Sequence, residues 1–186
     1  MENDKRIWTV PNFLSFLRLV FLVPILLYMA RGQKVHALAF IFLGFSTDFI
    51  DGWIARRFNQ RSDLGRMMDP VIDKLNILGA SLLMVLSPLY RFPLWFFLFL
   101  VGRELAVVVF GLWLVRRRKI VPEANKPGKR SAFFTGVSVL LYILDYQPWA
   151  AVAMWIAFVL ALYSTGTYLQ VFRKVATGRP APPSSV

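Results

Sequence analysis

The chain has 186 residues, of which 57% are hydrophobic, and its mean hydropathy of +0.55 is well above that of a typical soluble domain. It contains no cysteine, which excludes disulfides, thiolate catalysis and cysteine-ligated metals. Apolar runs of about 18 residues or more recur along the chain, so the composition predicts an integral membrane protein with a single domain.

The net charge of +12 does not indicate nucleic-acid binding. Much of the basic charge lies in short loops between apolar runs, which is typical of membrane topology and of contact with anionic lipid headgroups. The run "RRRK" at 116–119 is short and adjoins an apolar segment, so it does not form a nucleic-acid patch.

Six apolar segments predict an all-α, polytopic membrane protein with six transmembrane helices and a polar cavity that faces the cytoplasm. The segments cover residues 13–30, 35–55, 66–88, 93–115, 131–146 and 149–172. Pro88 and Pro93 bracket the turn between segments three and four, and Asp145 and Pro148 mark the turn between the last two. The predicted organisation is a cytoplasmic N-terminal segment over 1–12, a six-helix domain over 13–174 and a disordered tail over 175–186.

Positive charge predicts the orientation of these segments. Sixteen Lys and Arg residues lie in the termini and the loops on one side, against three, Arg31, Lys34 and Arg91, on the other. The positive-inside rule therefore places both termini, and the loop between segments two and three, on the cytoplasmic side.

Five of the ten acidic residues lie within "STDFIDGWIARRFNQRSDLGRMMDPVIDKL", residues 46–75, and four of these five form two closely spaced pairs. Asp48 and Asp51 are three residues apart, and Asp69 and Asp73 are four apart, so on helices each pair shares one face. If the two helices are antiparallel, the pairs face each other and require cations. Oxygen-only ligation indicates Mg²⁺, Mn²⁺ or Ca²⁺. The alternative is a set of solvated helix-end carboxylates beside neighbouring arginines.

Gly52 follows Asp51 directly, and Gly65 precedes Asp69 by four residues. Glycine within a helix often marks close approach of a ligand to the backbone. The alternative is packing of small residues between helices, with Ala55 on the same stripe as Gly52. Arg56, one turn beyond Gly52, would then reach a metal-bound phosphate.

The stretch resembles the signature of the CDP-alcohol phosphatidyltransferases, D-x-x-D-G-x-x-A-R-x8-G-x-x-x-D-x-x-x-D. It matches at eight fixed positions across 26 residues, namely Asp48, Asp51, Gly52, Ala55, Arg56, Gly65, Asp69 and Asp73. The resemblance implies a phosphoryl transfer in which a hydroxyl displaces CMP from a CDP-linked donor, at the cytoplasmic face of a six-helix protein.

By this resemblance, the four aspartates hold two divalent ions, Mg²⁺ or Mn²⁺, and Asp73 is also the base that deprotonates the attacking hydroxyl. The resemblance also implies that the donor, CDP-diacylglycerol, is bound by Asp51, Gly52, Ala55, Arg56 and Gly65. A two-metal site stabilises both attacking and leaving oxygens, and such chemistry needs no covalent protein nucleophile.

The acceptor alcohol is indicated by weaker features. The start "VPNFLSFLRLVFLVP" is similar to that of phosphatidylglycerolphosphate synthases and cardiolipin synthases, with Arg18 in the arginine position; Arg18 is alternatively a snorkelling residue. Segment four carries "GRE" at 102–104, in which Arg103 either reaches an acceptor phosphate or pairs with Glu104. Arg103 is basic, as are Lys129 and Arg130. Together these residues indicate that the acceptor is glycerol 3-phosphate.

Three alternatives remain at this point. Within the family, the acceptor is phosphatidylglycerol, as in a cardiolipin synthase, or another polar alcohol such as inositol phosphate. From another class, the carboxylates line the path of a cation transporter, although the deeper parts of the segments offer almost no polar groups beyond Glu104. The resemblance also implies a homodimer in contact with membrane lipids.

Overall fold

The computed structural model describes residues 10–57, 63–118 and 126–176, which form α-helices joined by short turns and contain no strand. The six helices are α1 (Val10–Ala30), α2 (Lys34–Arg57), α3 (Asp63–Leu86), α4 (Leu94–Arg118), α5 (Lys126–Leu144) and α6 (Gln147–Ala176). Each predicted apolar segment corresponds to one of them. The all-α prediction is therefore confirmed for the described residues.

Several helices are longer than the apolar segments that predicted them. α2 ends at Arg57, α4 at Arg118, and α5 begins at Lys126. Arginine and lysine have good helix propensity, so a helix continues through them after the apolar run has ended. α6 likewise continues to Ala176, which makes the first residues of the predicted 175–186 tail helical. Residues 177–186 and the N-terminal residues 1–9 lie outside the described part of the chain.

The chain divides into two compact units, Met1–Phe92 and Pro93–Val186. In the first unit, α1 packs against both α2 and α3. A Cβ atom added at Gly79 on α3 would lie within 4 Å of the side chains of Leu22 and Leu26 on α1. Because Gly79 has no side chain, α1 and α3 approach closely at this level. Ile72, Ala80 and Met84 of α3 are buried.

A Schellman motif ends α1. Gly32 adopts a positive φ of 69°, its amide donates to the Met29 carbonyl at 3.0 Å, and the Gln33 amide donates to the Tyr28 carbonyl at 2.9 Å. The buried Tyr90 hydroxyl also donates to the Met29 carbonyl, at 2.7 Å, and burial raises the pKa of Tyr90. The end of α1 is thereby fixed to the turn that follows α3.

The second unit is built on the contact between α5 and α6. The buried face of α6 consists mainly of small residues, namely Ala150, Ala153, Ala157, Ala161 and Ser164. Small residues allow helix backbones to approach closely, and hydroxyl groups then reach across the interface. Ser131 Oγ donates to the Ala157 carbonyl at 2.9 Å, and Ser138 Oγ donates to the Ala150 carbonyl at 3.0 Å.

Aromatic side chains connect α4 to α6 within the same unit. The ring centroids of Phe99 and Phe158 are 4.6 Å apart, and Trp95 lies 5.3 Å from Trp155. Trp95, at the start of α4, and Trp149, at the start of α6, are both exposed, as expected for aromatic residues near the ends of membrane segments.

Many large apolar side chains point outward, whereas many buried positions are small or polar. On α6, Trp155 is 53% exposed and Val159 is 60% exposed, while Ala157 is 1% exposed. An arrangement with large apolar side chains outside and small or polar side chains inside is expected for helices surrounded by lipid. Within the described residues, Gln147–Thr167 is long and apolar enough to cross a membrane; Phe16–Ala30 and Lys34–Thr47 are shorter apolar helices.

Two fully buried serines predict opposite effects on stability. Ser138 Oγ is hydrogen-bonded, whereas Ser81 Oγ has no hydrogen-bond partner among the residues that the structure describes. Ser138→Ala should therefore lower the free energy of unfolding by about 0.6–1.7 kcal/mol. Ser81→Ala should raise it by about 1 kcal/mol, since it removes a buried unsatisfied hydroxyl. Equilibrium unfolding in mixed micelles measures both, and shifts of the same sign would contradict the assignment.

Candidate active site

The eight signature positions lie on two helices. Asp48, Asp51, Gly52, Ala55 and Arg56 occupy the second half of α2, and Gly65, Asp69 and Asp73 occupy the first half of α3. Both aspartate spacings are therefore helical, as predicted, and each pair shares a helix face. Of the eight, the side chain that the structure describes is that of Asp73. The side chains of the other seven lie outside the described part, so the meeting of the four carboxylates stays a prediction.

Asp73 forms an ion pair with α1. The Arg18 guanidinium donates from Nη1 to Asp73 Oδ1 at 2.9 Å. The Arg18 side chain is 6% exposed, whereas that of Asp73 is 58% exposed. The carboxylate is thus held from the protein interior by a buried cation and remains accessible from the other side. Because Arg18 is buried, the snorkelling interpretation of this residue is wrong.

The position of Arg18 follows from the packing of α1. Leu22 and Leu26 lie one and two turns beyond Arg18 and are the residues that pack over Gly79 of α3. The register set at Gly79 places Arg18 at the level of Asp73. An arginine inside an apolar helix was the sequence signal for a functional contact, but its partner is 55 residues away and could not be inferred from spacing.

Asn76 is a second polar residue near Asp73 that the sequence interpretation missed. It lies between Ile72 and Ala80 in the i, i+4 stripe that α3 buries. Its Oδ1 atom is buried and has no hydrogen-bond partner within the described residues. A polar atom left unsatisfied one turn from a candidate base is unusual, because most buried polar groups are paired.

The second unit contains the residues that were predicted to bind the acceptor. Arg103 Nη1 donates to Glu104 Oε1 at 2.9 Å, and the two side chains are 12% and 20% exposed. The structure thus contains the Arg103–Glu104 pair, one of the two alternatives for Arg103, and this pair leaves Arg103 Nε buried without a partner among the described residues. Lys129 and Arg130, in the first turns of α5, are exposed. Their role in acceptor binding stays a prediction.

Comparison with known proteins agrees with the signature. The model of the CDP-alcohol phosphatidyltransferase family matches residues 8–163. The chain therefore belongs to the CDP-alcohol phosphatidyltransferases, a family of membrane-associated enzymes of phospholipid biosynthesis.

Relatives within this family carry three different descriptions. The chain is 35% identical to the CDP-diacylglycerol–glycerol-3-phosphate 3-phosphatidyltransferase of Aquifex aeolicus, over 70% of this chain and 73% of the relative. It is 36% identical to the cardiolipin synthase (CMP-forming) of Streptomyces coelicolor, over 80% and 72%. It is 33% identical to the probable phosphatidylglycerophosphate synthase of Mycobacterium tuberculosis, over 89% and 82%.

If the signature aspartates are metal ligands, Asp69→Asn should weaken Mn²⁺ binding by about tenfold or more, because a charged oxygen ligand is replaced by a neutral amide. Titration of the purified protein with Mn²⁺, followed by electron paramagnetic resonance, measures the affinity without any turnover. Asp145→Asn is the matched control, since Asp145 is an exposed carboxylate in the turn between α5 and α6. Equal Mn²⁺ affinities in the two variants would contradict the ligand role.

Proposed function

We propose that the protein transfers the phosphatidyl group of CDP-diacylglycerol to glycerol 3-phosphate and releases CMP. Family membership supports the reaction class, and the complete signature supports the site. The observation that carries the proposal furthest is the position of Asp73, whose carboxylate is exposed on one side and anchored to buried Arg18 on the other. A base that must reach a substrate hydroxyl needs this combination of access and fixed orientation.

The donor set fits two divalent ions, Mg²⁺ or Mn²⁺, held by Asp48, Asp51, Asp69 and Asp73. Carboxylate oxygens are the ligands these ions prefer, and the Asp73 side chain is 58% exposed. Among the side chains that the structure describes, no group of three His, Asp or Glu side chains forms a separate metal site. When bound, the two ions would neutralise the donor's diphosphate and stabilise the attacking and leaving oxygens.

In the proposed reaction, different residues bind the donor and accept the proton of the acceptor hydroxyl. Asp51, Gly52, Ala55, Arg56 and Gly65 bind the CDP part of the donor. The acceptor hydroxyl forms a bond to the phosphorus of the phosphatidyl group, the phosphorus–oxygen bond to CMP breaks, and the hydroxyl proton passes to a carboxylate oxygen of Asp73. No covalent enzyme intermediate is required for transfer of this kind.

Glycerol 3-phosphate is the proposed acceptor because its phosphate needs fixed positive charge close to an already anionic donor. Arg103, Lys129 and Arg130 are the proposed source of that charge. The buried Nε of Arg103 supports this role, since it has no hydrogen-bond partner among the described residues and its N–H is a donor that suits an anionic ligand. The second candidate function is cardiolipin synthesis with phosphatidylglycerol as acceptor, which the Streptomyces relative favours.

The proposal includes a topology. Six membrane segments place both termini and the active-site cavity at the cytoplasmic side, and the protein is a homodimer. The outward apolar side chains and the inward small residues of α6 support a lipid environment for these helices. The positive-inside distribution of Lys and Arg supports the orientation.

Release of CMP by the purified protein tests the proposed function. With CDP-diacylglycerol and Mg²⁺ or Mn²⁺, glycerol 3-phosphate should be consumed, and excess EDTA should abolish turnover because the carboxylates alone cannot neutralise the diphosphate. Full turnover in EDTA would contradict the metal site. Consumption of phosphatidylglycerol with no reaction of glycerol 3-phosphate would replace the acceptor assignment by cardiolipin synthesis.

Arg103→Ala tests the acceptor site separately. It should raise KM for glycerol 3-phosphate by about tenfold or more, the loss of a charge-assisted hydrogen bond, and leave KM for CDP-diacylglycerol nearly unchanged. Arg31→Ala, which removes an exposed arginine after α1, is the control and should change neither value. If Arg103→Ala weakens donor and acceptor binding equally, Arg103 is a structural partner of Glu104 alone.

A further inference from the structure

We propose that Arg18 is a positioning residue for Asp73, and that it fixes the carboxylate for proton transfer while opposing the binding of a divalent cation to it. The inference rests on the proposed function, in which Asp73 is both base and metal ligand. It assigns a role to a residue on α1, outside the signature helices α2 and α3.

Arg18 restricts the orientation of the Asp73 carboxylate. The Arg18 Nη1–Asp73 Oδ1 bond of 2.9 Å, from a side chain that is 6% exposed, restricts the rotation of a carboxylate whose side chain is 58% exposed. Arg18 is itself fixed, since α1 packs over Gly79 through Leu22 and Leu26. The more exposed side of the Asp73 carboxylate is therefore presented in a constant direction, which proton transfer requires.

Arg18 also affects the binding of a cation to Asp73 through its charge. The Arg18 guanidinium gives Asp73 a positive neighbour. A divalent ion that binds Asp73 shares this carboxylate with the guanidinium, and the two cations repel each other. The repulsion is stronger than in water because Arg18 is buried. Arg18 therefore improves the orientation of the base and reduces the affinity for the metal at the same time.

Loss of Arg18 should change kcat and metal affinity in opposite directions. This distinguishes a positioning role from a purely structural one. A residue that only holds α1 against α3 would, when lost, lower stability, turnover and metal affinity together. Loss of Arg18 should instead lower kcat and raise metal affinity. Ligand residues such as Asp69 behave differently again, because their loss weakens metal binding.

The test measures Mn²⁺ affinity by electron paramagnetic resonance, together with kcat and KM from CMP release. Arg18→Met keeps an unbranched apolar stem but removes the charge. It should bind Mn²⁺ about fivefold or more tightly, by the repulsion that is removed. Its kcat should fall about 10- to 100-fold, as is usual when a partner of a ligand is lost, while KM for CDP-diacylglycerol changes little.

Two further variants complete the test. Arg18→Lys keeps the charge without the guanidinium geometry, so its Mn²⁺ affinity should equal that of the wild type and its kcat should lie between the other two. Leu22→Ala is the matched packing control on the same face of α1. It should lower stability without raising Mn²⁺ affinity.

The proposal is overturned if Arg18→Met behaves like Leu22→Ala, with reduced stability and an unchanged or weaker affinity for Mn²⁺. If Arg18→Met does not fold, Arg18→Lys decides: a reduced kcat at unchanged Mn²⁺ affinity supports the proposal, and a wild-type kcat overturns it. A wild-type protein that releases no CMP with any acceptor would overturn the proposed function instead, and the Mn²⁺ affinities would still decide the role of Arg18.

Discussion

The ion pair between Arg18 and Asp73 is the constraint on which the first unit depends. A guanidinium buried among apolar helices is unfavourable unless it is paired, and removal of its partner leaves an uncompensated charge. α1 must therefore pack against α3 in one register. Gly79 permits the close approach of Leu22 and Leu26 that sets this register. The packing of α1 on α3 and the position of the Asp73 carboxylate therefore depend on the same ion pair.

The same rule for polar groups applies elsewhere in the protein. In a lipid environment, the outer surface gains nothing from polar side chains, so hydroxyls and charges turn inward and bond to backbone or to each other. Ser131 and Ser138 do so between α5 and α6, and Tyr90 does so at the end of α1. Asn76, Ser81 and Arg103 each retain a buried atom with no partner among the described residues. The polar interior is therefore only partly satisfied by the described residues.

Sequence reasoning predicted what depends on local pattern. Apolar run length identified the six helices. Pro93 and Asp145 marked the start of α4 and the end of α5, and the i, i+3 and i, i+4 spacings put the aspartate pairs on helical faces. The adjacent residues Arg103 and Glu104 were also a correct candidate ion pair. The helix lengths were underestimated because hydropathy records the apolar stretch and not the polar turns that continue it.

The remaining features depend on which helices pack together, and no local pattern contains that information. Arg18 was a candidate for function, but the identity of its partner required the α1–α3 register. Asn76 had no signal of its own, because only the burial of its neighbours Ile72 and Ala80 turns an ordinary amide into an unsatisfied one. The aspartates were recognisable, in contrast, because their spacing along two helices is itself a feature of the sequence.

A double-mutant cycle between Arg18 and Asp73 tests the central contact most directly. Arg18→Met, Asp73→Asn and the double variant are compared by equilibrium unfolding in mixed micelles without metal, so the result does not depend on catalysis. A coupling free energy of about 1–3 kcal/mol is expected, with the double variant more stable than the sum of the single changes implies. Additive effects would contradict it, because they would mean that the two charges do not stabilise each other in the folded protein.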